Sequence, residues 1–267
     1  MTELFALHFF RNAFIMCFLL SALFGILSFF VVMRKMSFLG AGISHTAFGG
    51  VALGILFGIN PFYTALAFCV CAAVLIGKIS KLGNISYDTG IGIFFSFSMA
   101  LGAIFIAMRK AYTFDLTGYL FGNILGVTDF DRIVAAVVLL LFVPFELLFI
   151  HRILFMTFDE DVAVISGVRV GTLDTALSVF LAVIIVISIK IVGIVLVSAL
   201  VVLPASFGLL MSKNFRPVIW WGIGFALCTM TSGLFLSYFL DFPAGATMVT
   251  AGTLLYFAAL TIKRLVL

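Results

Sequence analysis

Charged residues are scarce in this sequence. Asp, Glu, Lys and Arg make up 10% of the 267 residues, whereas 64% are apolar and the mean hydropathy is +1.35. Soluble domains carry about a quarter of their residues as charged ones. The composition therefore excludes a water-soluble globular protein. It predicts an all-α, polytopic bundle of transmembrane helices, with residues 1–267 forming a single membrane domain.

Nucleotide-binding and common hydrolase motifs are also lacking. The sequence has no G-x-x-x-x-G-K-[ST] phosphate loop, no H-E-x-x-H zinc-protease motif, no G-x-S-x-G elbow and no G-x-G-x-x-G after a strand. Any energy from nucleotide must come from another chain. The net charge of +4 is explained by topology and by attraction to lipid headgroups, so it gives no reason to expect a nucleic-acid partner.

Long apolar runs follow one another along the chain. We expect eight or nine spans, near 12–33, 38–57, 61–77, 88–108, 132–150, 172–189, 192–211, 218–239 and 244–262. The shorter run 116–127 is typical of a re-entrant or interfacial helix. Residues 172–211 are long enough for two crossings with a tight turn between them. The predicted breaks and turns lie at Lys190, Gly193, Pro204, Asp241 and Pro243.

Basic residues are distributed unevenly between the two sides of this nine-span scheme. Five fall on one side, namely Arg11, Arg109, Lys110, Arg132 and Lys190, and ten on the other, including Arg34, Lys35, Arg152 and Lys263. The richer side is expected to be cytoplasmic. This orientation places the carboxyl terminus and segment 151–171 in the cytoplasm and segment 109–131 outside.

Ionisable residues inside the apolar runs are few, and each is costly in hydrocarbon. His45 lies about 12 Å into the second span, near the bilayer midplane. A neutral imidazole is a common ligand for zinc and other transition metals. It is equally consistent with a histidine that hydrogen-bonds to a neighbouring helix. Gly42 and Gly49 leave room beside the ring.

Carboxylates near the ends of spans have simpler interpretations. Glu146 and Asp174 are close enough to the interface for packing or snorkelling. Segment 151–171 mixes charged residues with apolar ones, as does a short amphipathic helix that presses against a partner, although a solvated loop explains the composition as well. Glycine repeats every four residues at Gly50, Gly54 and Gly58 and at Gly118, Gly122 and Gly126, which indicates close helix packing or a sliding surface.

Four blocks in order along the chain resemble one family, the integral permeases of ABC transporters for zinc, manganese and iron. The blocks are 34–40 leading through 43–45 to 49–54 and 60–62; then 119–125; then 190–193 through 198–200 to 203–205; and finally 237–245. Each block alone is weak, but the four at the expected spacings are specific. The resemblance covers the full length.

The resemblance implies a homodimeric permease of a prokaryotic cytoplasmic membrane that works by alternating access. Its partners would be cytoplasmic ATP-binding subunits, docked on a coupling helix that contains Phe158, Asp159, Glu160, Ala163 and Gly167, and an extracytoplasmic solute-binding protein that faces segment 109–131. The cargo would be a divalent ion, zinc, manganese or iron, with no permanently bound cofactor and no enzymatic activity in this chain.

The resemblance also assigns His45 to the metal pathway, with one departure. Many members carry an aspartate four residues before this histidine, where this sequence has Ala41. Because imidazole alone is a weak metal site, a permease for a metal chelate or an organic cofactor stays open as an alternative. An intramembrane metal enzyme would need more ligands beside His45. A secondary transporter would bury more charge near the midplane.

Overall fold

The computed structural model describes residues 7–108, 116–123 and 126–266, and every regular element in these ranges is a helix. Nine helices are long and two are short. They are α1 His8–Met33, α2 Ser37–Phe57, α3 Pro61–Leu82, α4 Tyr87–Met108, α5 Leu116–Phe121, α6 Asp129–Phe158, α7 Glu160–Ile165, α8 Val170–Val192, α9 Ile194–Met211, α10 Phe215–Leu240 and α11 Ala244–Val266.

Eight of these helices are long and apolar enough to cross a membrane, and the apolar part of α9 is the shorter Val197–Met211. The predicted polytopic helical fold is therefore confirmed. The helix ends differ from the predicted spans, most clearly where α6 continues to Phe158 instead of ending near 150. A helix keeps its backbone hydrogen bonds beyond the hydrocarbon, so the apolar run does not mark where the helix ends.

Contacts divide the chain into two compact units. Unit 1 contains Met1–Lys35, Asp115–Leu139 and Ile187–Leu267, and unit 2 contains Met36–Phe114 and Leu140–Val186. The expectation of a single permease domain stays a prediction.

Unit 1 is built around α1. A Cβ atom at Gly25 of α1 would lie 2.6 Å from Cα of Ile223 in α10, so these two helices touch through their backbones. Nearer the start of α1, the fully buried Phe10 packs against the rings of Phe235 and Tyr238, with centroids 5.5 and 5.6 Å away. Close backbone approach together with ring packing fixes α1 against α10.

Three glycines of unit 1 bring distant segments into backbone contact, and we call them the glycine crossing: Gly122, Gly193 and Gly245. Gly193 separates α8 from α9 with φ +86° and ψ 155°, and a Cβ atom there would overlap the Leu120 carbonyl. A Cβ atom at Gly122 would overlap the Ile191 carbonyl, and one at Gly245 would overlap the Val192 carbonyl. No side chain larger than hydrogen fits at these positions without moving a backbone.

The predicted breaks fall at different kinds of position. The chain interrupts its helix at Gly193, while Lys190 lies two residues before the end of α8. Pro204 lies inside α9, which continues through it, so the expected break at Pro204 is corrected. Proline removes only one N–H from the ladder, a loss that membrane helices tolerate. Asp241 ends α10 with φ 54°, and Pro243 precedes the first residue of α11.

Unit 2 places α2 between two neighbours. A Cβ atom at Gly50 would lie 2.7 Å from Cα of Ala65 in α3, and one at Gly49 would lie 2.7 Å from the Ser98 carbonyl oxygen in α4. The glycines at 49 and 50 thus serve close packing on both sides of α2. Part of the predicted repeat has this role, whereas Gly58 ends α2 in open space.

Candidate functional site

His45 lies on the side of α2 that faces α4. Its ring is half-buried and meets Phe95 edge to face, with centroids 4.9 Å apart and planes at 78°. This aromatic contact holds the imidazole in place, and among the described residues no hydrogen bond of the ring nitrogens accompanies it. Each nitrogen therefore keeps its donor or acceptor capacity for another group.

The room predicted beside His45 is taken by α4. A Cβ atom at Gly42 would overlap the side chain of Ile91, and the Ser98 carbonyl occupies the space beside Gly49. These contacts bring α4 close to α2 and so carry Phe95 onto the imidazole ring. The two glycines act indirectly, through the position of α4, and they do not form an empty pocket around the ring.

The hydroxyl groups next to His45 are already engaged. Ser44 Oγ donates to the Ala41 carbonyl at 3.0 Å, and Thr46 Oγ1 donates to the Gly42 carbonyl at 2.7 Å. Both bonds stay within α2, as is usual for hydroxyl side chains in apolar helices. Cys69 contacts the helix at the Ile43 carbonyl, 3.6 Å away. Ile43 is two residues from His45 and so lies on another side of the helix.

A full set of metal ligands does not surround His45. Across the described ranges no group of three or more His, Cys, Asp and Glu side chains is placed to hold a metal ion. The side chain of Ala41, one turn before His45, offers no ligand atom. A lone imidazole binds a divalent ion weakly.

A polar network at the start of α1 and α6 was not anticipated from the sequence. Asn12 is 1% exposed, donates to Asp129 Oδ1 at 2.9 Å and accepts from Arg132 Nη1 at 2.8 Å. Arg132 also approaches Asp129 at 3.3 Å, and His8 lies 3.6 Å from the same carboxylate. An asparagine one residue after Arg11, at the edge of an apolar run, was the available signal.

Glu146 is buried, so of the two expected alternatives, packing and snorkelling, the structure agrees with packing. It is 4% exposed, and neither carboxylate oxygen has a hydrogen-bond partner among the residues that the structure describes. Sequence position alone suggested a side chain that reaches the interface. The packing of α6 turns it inward instead.

The predicted coupling segment forms a short capped helix, α7. Asp159 Oδ1 accepts from the Val162 N–H at 3.0 Å at its start, and the Gly167 N–H donates to the Val164 carbonyl at 3.0 Å at its end. Glu160 is in the first turn, Ala163 is fully buried and Phe158 ends α6. The structure thus has a helix where a solvated loop was the alternative.

The outer surface of this segment is apolar. Phe158 is 79% exposed, Ile165 is 85% exposed, and Val162 and Val164 are also exposed. Four exposed apolar side chains within eight residues, beside Asp159, Glu160 and Asp161, form a patch that is rimmed by acidic groups. Such a patch is typical of a docking surface.

Comparison with known proteins identifies a family and several relatives. The profile of the ABC 3 transport family matches residues 6–263. The chain is 34% identical over 235 residues to the manganese transport system membrane protein MntC of Listeria innocua, covering 88% of this chain and 84% of MntC. It is 32% identical over 249 residues to the high-affinity zinc uptake system membrane protein ZnuB of Buchnera aphidicola, covering 93% and 95% of the two chains.

A solved structure has the same fold. The chain superimposes on PsaBC from Streptococcus pneumoniae, solved in complex with Fab, with a TM-score of 0.83 and 32% identity, and the match covers 95% of this chain and 91% of that one. The match includes nearly all of the helices described above. From its sequence profile, its relatives and its fold, this multi-pass membrane chain belongs to the ABC 3 transport family.

Proposed function

We propose that the chain is the membrane-spanning subunit of an ATP-driven importer of divalent transition metal ions. The observation that carries this proposal is His45, a midspan imidazole that packs against Phe95 and has no hydrogen-bond partner among the residues that the structure describes. Relatives are named for manganese and for zinc, and both ions accept imidazole nitrogen. Iron remains a third candidate cargo. The ion is the substrate and not a resident cofactor.

A sparse site suits transport, because an ion must leave as readily as it enters. His45 offers one nitrogen ligand, and Ala41 in place of a carboxylate lowers the affinity further. We expect two copies of the chain to form the translocation unit and to alternate between outward and inward access. The chain has no nucleotide motif, so ATP hydrolysis belongs to partner subunits in the cytoplasm.

Uptake into liposomes tests the role of His45. The chain is reconstituted with its ATP-binding subunit and its binding protein, and ATP-dependent uptake of manganese, zinc and iron is compared between wild type and His45→Ala. We expect one metal to accumulate and the substitution to lower its uptake by at least about tenfold, the loss of one good ligand interaction. An unchanged rate with His45→Ala removes this residue from the pathway.

A matched histidine supplies the control. His8 is mostly exposed and meets only Asp129, at 3.6 Å, among the ion pairs of the described residues. Exposed pairs contribute little, so His8→Ala should retain near wild-type uptake. Equal losses in the two variants would point to a general defect.

The apolar patch on α7 is the proposed docking site for the ATP-binding subunit. Burying Ile165 in an interface would contribute about 1–3 kcal/mol. Ile165→Ala should therefore weaken binding of the ATP-binding subunit about tenfold or more in a fluorescence titration. Leu148→Ala, also an exposed apolar truncation at 76% exposure, is the control and should not change binding. Equal affinities for Ile165→Ala and wild type would contradict docking at this patch.

The orientation follows from the same proposal. Segment 151–171 and the carboxyl terminus would face the cytoplasm, and the external segment near 109–131 would meet the solute-binding protein. Segment 109–115 and residues 124 and 125 lie outside the described residues, so this surface is proposed from the sequence alone. A metal chelate or an organic cofactor as cargo is the alternative. This alternative is favoured if neither manganese, zinc nor iron accumulates as a free ion in the liposome assay.

A further inference from the structure

Glu146 is a buried carboxyl group that metal binding at His45 does not use. It lies on α6, five residues before His151, which is the next ionisable residue toward the end of the helix. Five residues correspond to about 8 Å along the helix axis. It is 4% exposed, and both carboxylate oxygens are buried. An ionised carboxylate at such a position would cost several kcal/mol unless it were paired.

The surroundings of Glu146 are apolar on its own helix and on α8. Phe142 and Phe145 of α6 both contact Phe180 of α8, with ring centroids 5.0 Å apart in each pair. Phe149, one turn after Phe145, continues this aromatic row at 5.1 Å. Glu146 therefore lies between aromatic positions on the helix, in surroundings that stabilise a charge poorly.

Ionisable neighbours are engaged elsewhere or exposed. On α6, His151 and Arg152 are exposed, and the Arg152 guanidinium lies 5.7 Å from the centre of the Phe149 ring. On α8, Asp174 is half-buried, and Tyr87 of α4 reaches α8 through Ser178 at 3.2 Å. Within the described ranges, Glu146 forms no ion pair with any basic group and accepts no hydrogen bond from any donor.

Glu146 has no hydrogen-bond or ion-pair partner among the described residues, and this limits which ligand its carboxyl group can bind. A divalent cation requires several oxygen or nitrogen ligands, and the described part of the chain contains no such group of His, Cys, Asp and Glu. A proton requires a single carboxylate oxygen. We propose that Glu146 is a proton-binding site: it is a neutral carboxylic acid in this conformation, and it releases its proton to water when α6 and α8 separate.

The coupling works in both directions. Opening the helices lets water reach the carboxyl group, which then ionises to a carboxylate and a free proton. Raising the pH favours the ionised form and therefore favours opening, by about tenfold per pH unit between the ordinary pKa of an exposed glutamate, about 4.3, and the pH at which the closed form itself loses its proton. This goes beyond metal transport and does not depend on the identity of the cargo.

Infrared spectroscopy of the full chain in lipid nanodiscs tests the protonation directly. The sequence contains three glutamates, Glu3, Glu146 and Glu160, so labelling glutamate with carbon-13 at the carboxyl group marks few positions. We expect a band of protonated carboxyl at neutral pH that disappears in Glu146→Gln. Asp88→Asn, a neutralised exposed carboxyl, should keep it. The lack of this band in the wild type would overturn the proposal.

Hydrogen exchange of the backbone amides in α6 and α8 tests the coupling. Relative to Glu146→Gln, which removes the intrinsic pH effect, exchange in the wild type should accelerate by about tenfold per pH unit above the ordinary pKa of glutamate, about 4.3, for as long as the band is present. This extra acceleration should level off where the band disappears. Equal pH dependences would overturn the link to opening. Glu146→Leu serves if Glu146→Gln does not fold, because it also cannot ionise. Failure of metal uptake would leave both measurements intact, so the two proposals fail independently.

Discussion

Asn12 in unit 1 and Glu146 in unit 2 are both buried polar side chains on long apolar helices, but their surroundings differ. Asn12 has a carboxylate at 2.9 Å and a guanidinium at 2.8 Å, so its amide is satisfied on both ends. Glu146 has no hydrogen-bond partner in the described structure. A satisfied polar group stabilises the fold, whereas an unsatisfied one lowers stability and is retained where it serves a function.

The same contrast applies to the larger surroundings. In unit 1, the glycine crossing and the Asn12 network form contacts between segments that are far apart in the sequence. In unit 2, His45 packs against Phe95 and Glu146 lies among aromatic positions of α6, and among the described residues neither side chain has a hydrogen-bond partner. We therefore expect substitutions in the glycine crossing or the Asn12 network to affect mainly stability, and substitutions at His45 or Glu146 to affect mainly function.

The largest effect is expected at the glycine crossing. Gly193→Ala would place a side chain at φ +86° and ψ 155°, a region that only glycine adopts readily, and against the Leu120 carbonyl. The cost should be at least about 3 kcal/mol. Size-exclusion chromatography after graded heating in detergent measures the loss of folded protein.

Gly224→Ala is the matched control in the same unit. Gly224 lies in α10, and a Cβ atom there would meet nothing within 4 Å. Because alanine is the better helix former, this variant should be as stable as wild type or slightly more so. If both variants melted at the wild-type temperature, the glycine crossing would not be a structural requirement.

A smaller loss is expected for Asn12→Ala. The substitution leaves Arg132 and Asp129 without their buried partner and should cost about 2 kcal/mol. Metal uptake should persist at temperatures where the variant stays folded. In a double-mutant cycle with Arg132→Ala, the two losses should be less than additive, because both substitutions remove one shared bond. Additive losses would show that the network does not act as a unit.

The smallest change is expected for Glu146→Leu, and it has the opposite sign. Replacing an unsatisfied buried polar group by an apolar one of similar size should raise stability by about 1 kcal/mol. The same heating assay measures it. A destabilisation of several kcal/mol would instead show that Glu146 is an ionised and paired group, and the contrast with Asn12 would then disappear.

Most of the fold was predictable from hydrophobicity. Runs of about 20 apolar residues have few alternatives to crossing the bilayer, so the spans near 38–57 and 88–108 correspond closely to α2 and α4. The extension of α6 to Phe158 was not predictable in this way, because hydropathy reports the solvent around a helix and not its hydrogen bonds. Pro204 was misjudged for a similar reason: a proline inside a membrane helix need not interrupt it.

The site was predictable only in part. His45 stands out because histidine is rare in an apolar run, and the sequence has three in all. Its contact with Phe95 was not predictable, since it depends on how closely Gly42 and Gly49 let α4 approach. The direction of Glu146 was likewise invisible, because a residue five positions from a helix-end histidine can turn outward or inward with equal ease. Neighbouring helices decide such questions, and one sequence does not contain their positions.

The glycine crossing also has a consequence for biosynthesis. Gly245 lies in the last helix, and it fills the space beside the Val192 carbonyl at the junction of α8 and α9. Chains emerge from the ribosome amino terminus first. The junction therefore lacks this neighbour until α11 has been synthesised and inserted. The junction of α8 and α9 is thus completed only when the carboxyl-terminal helix packs against it, although the residues of the junction are translated well before that helix.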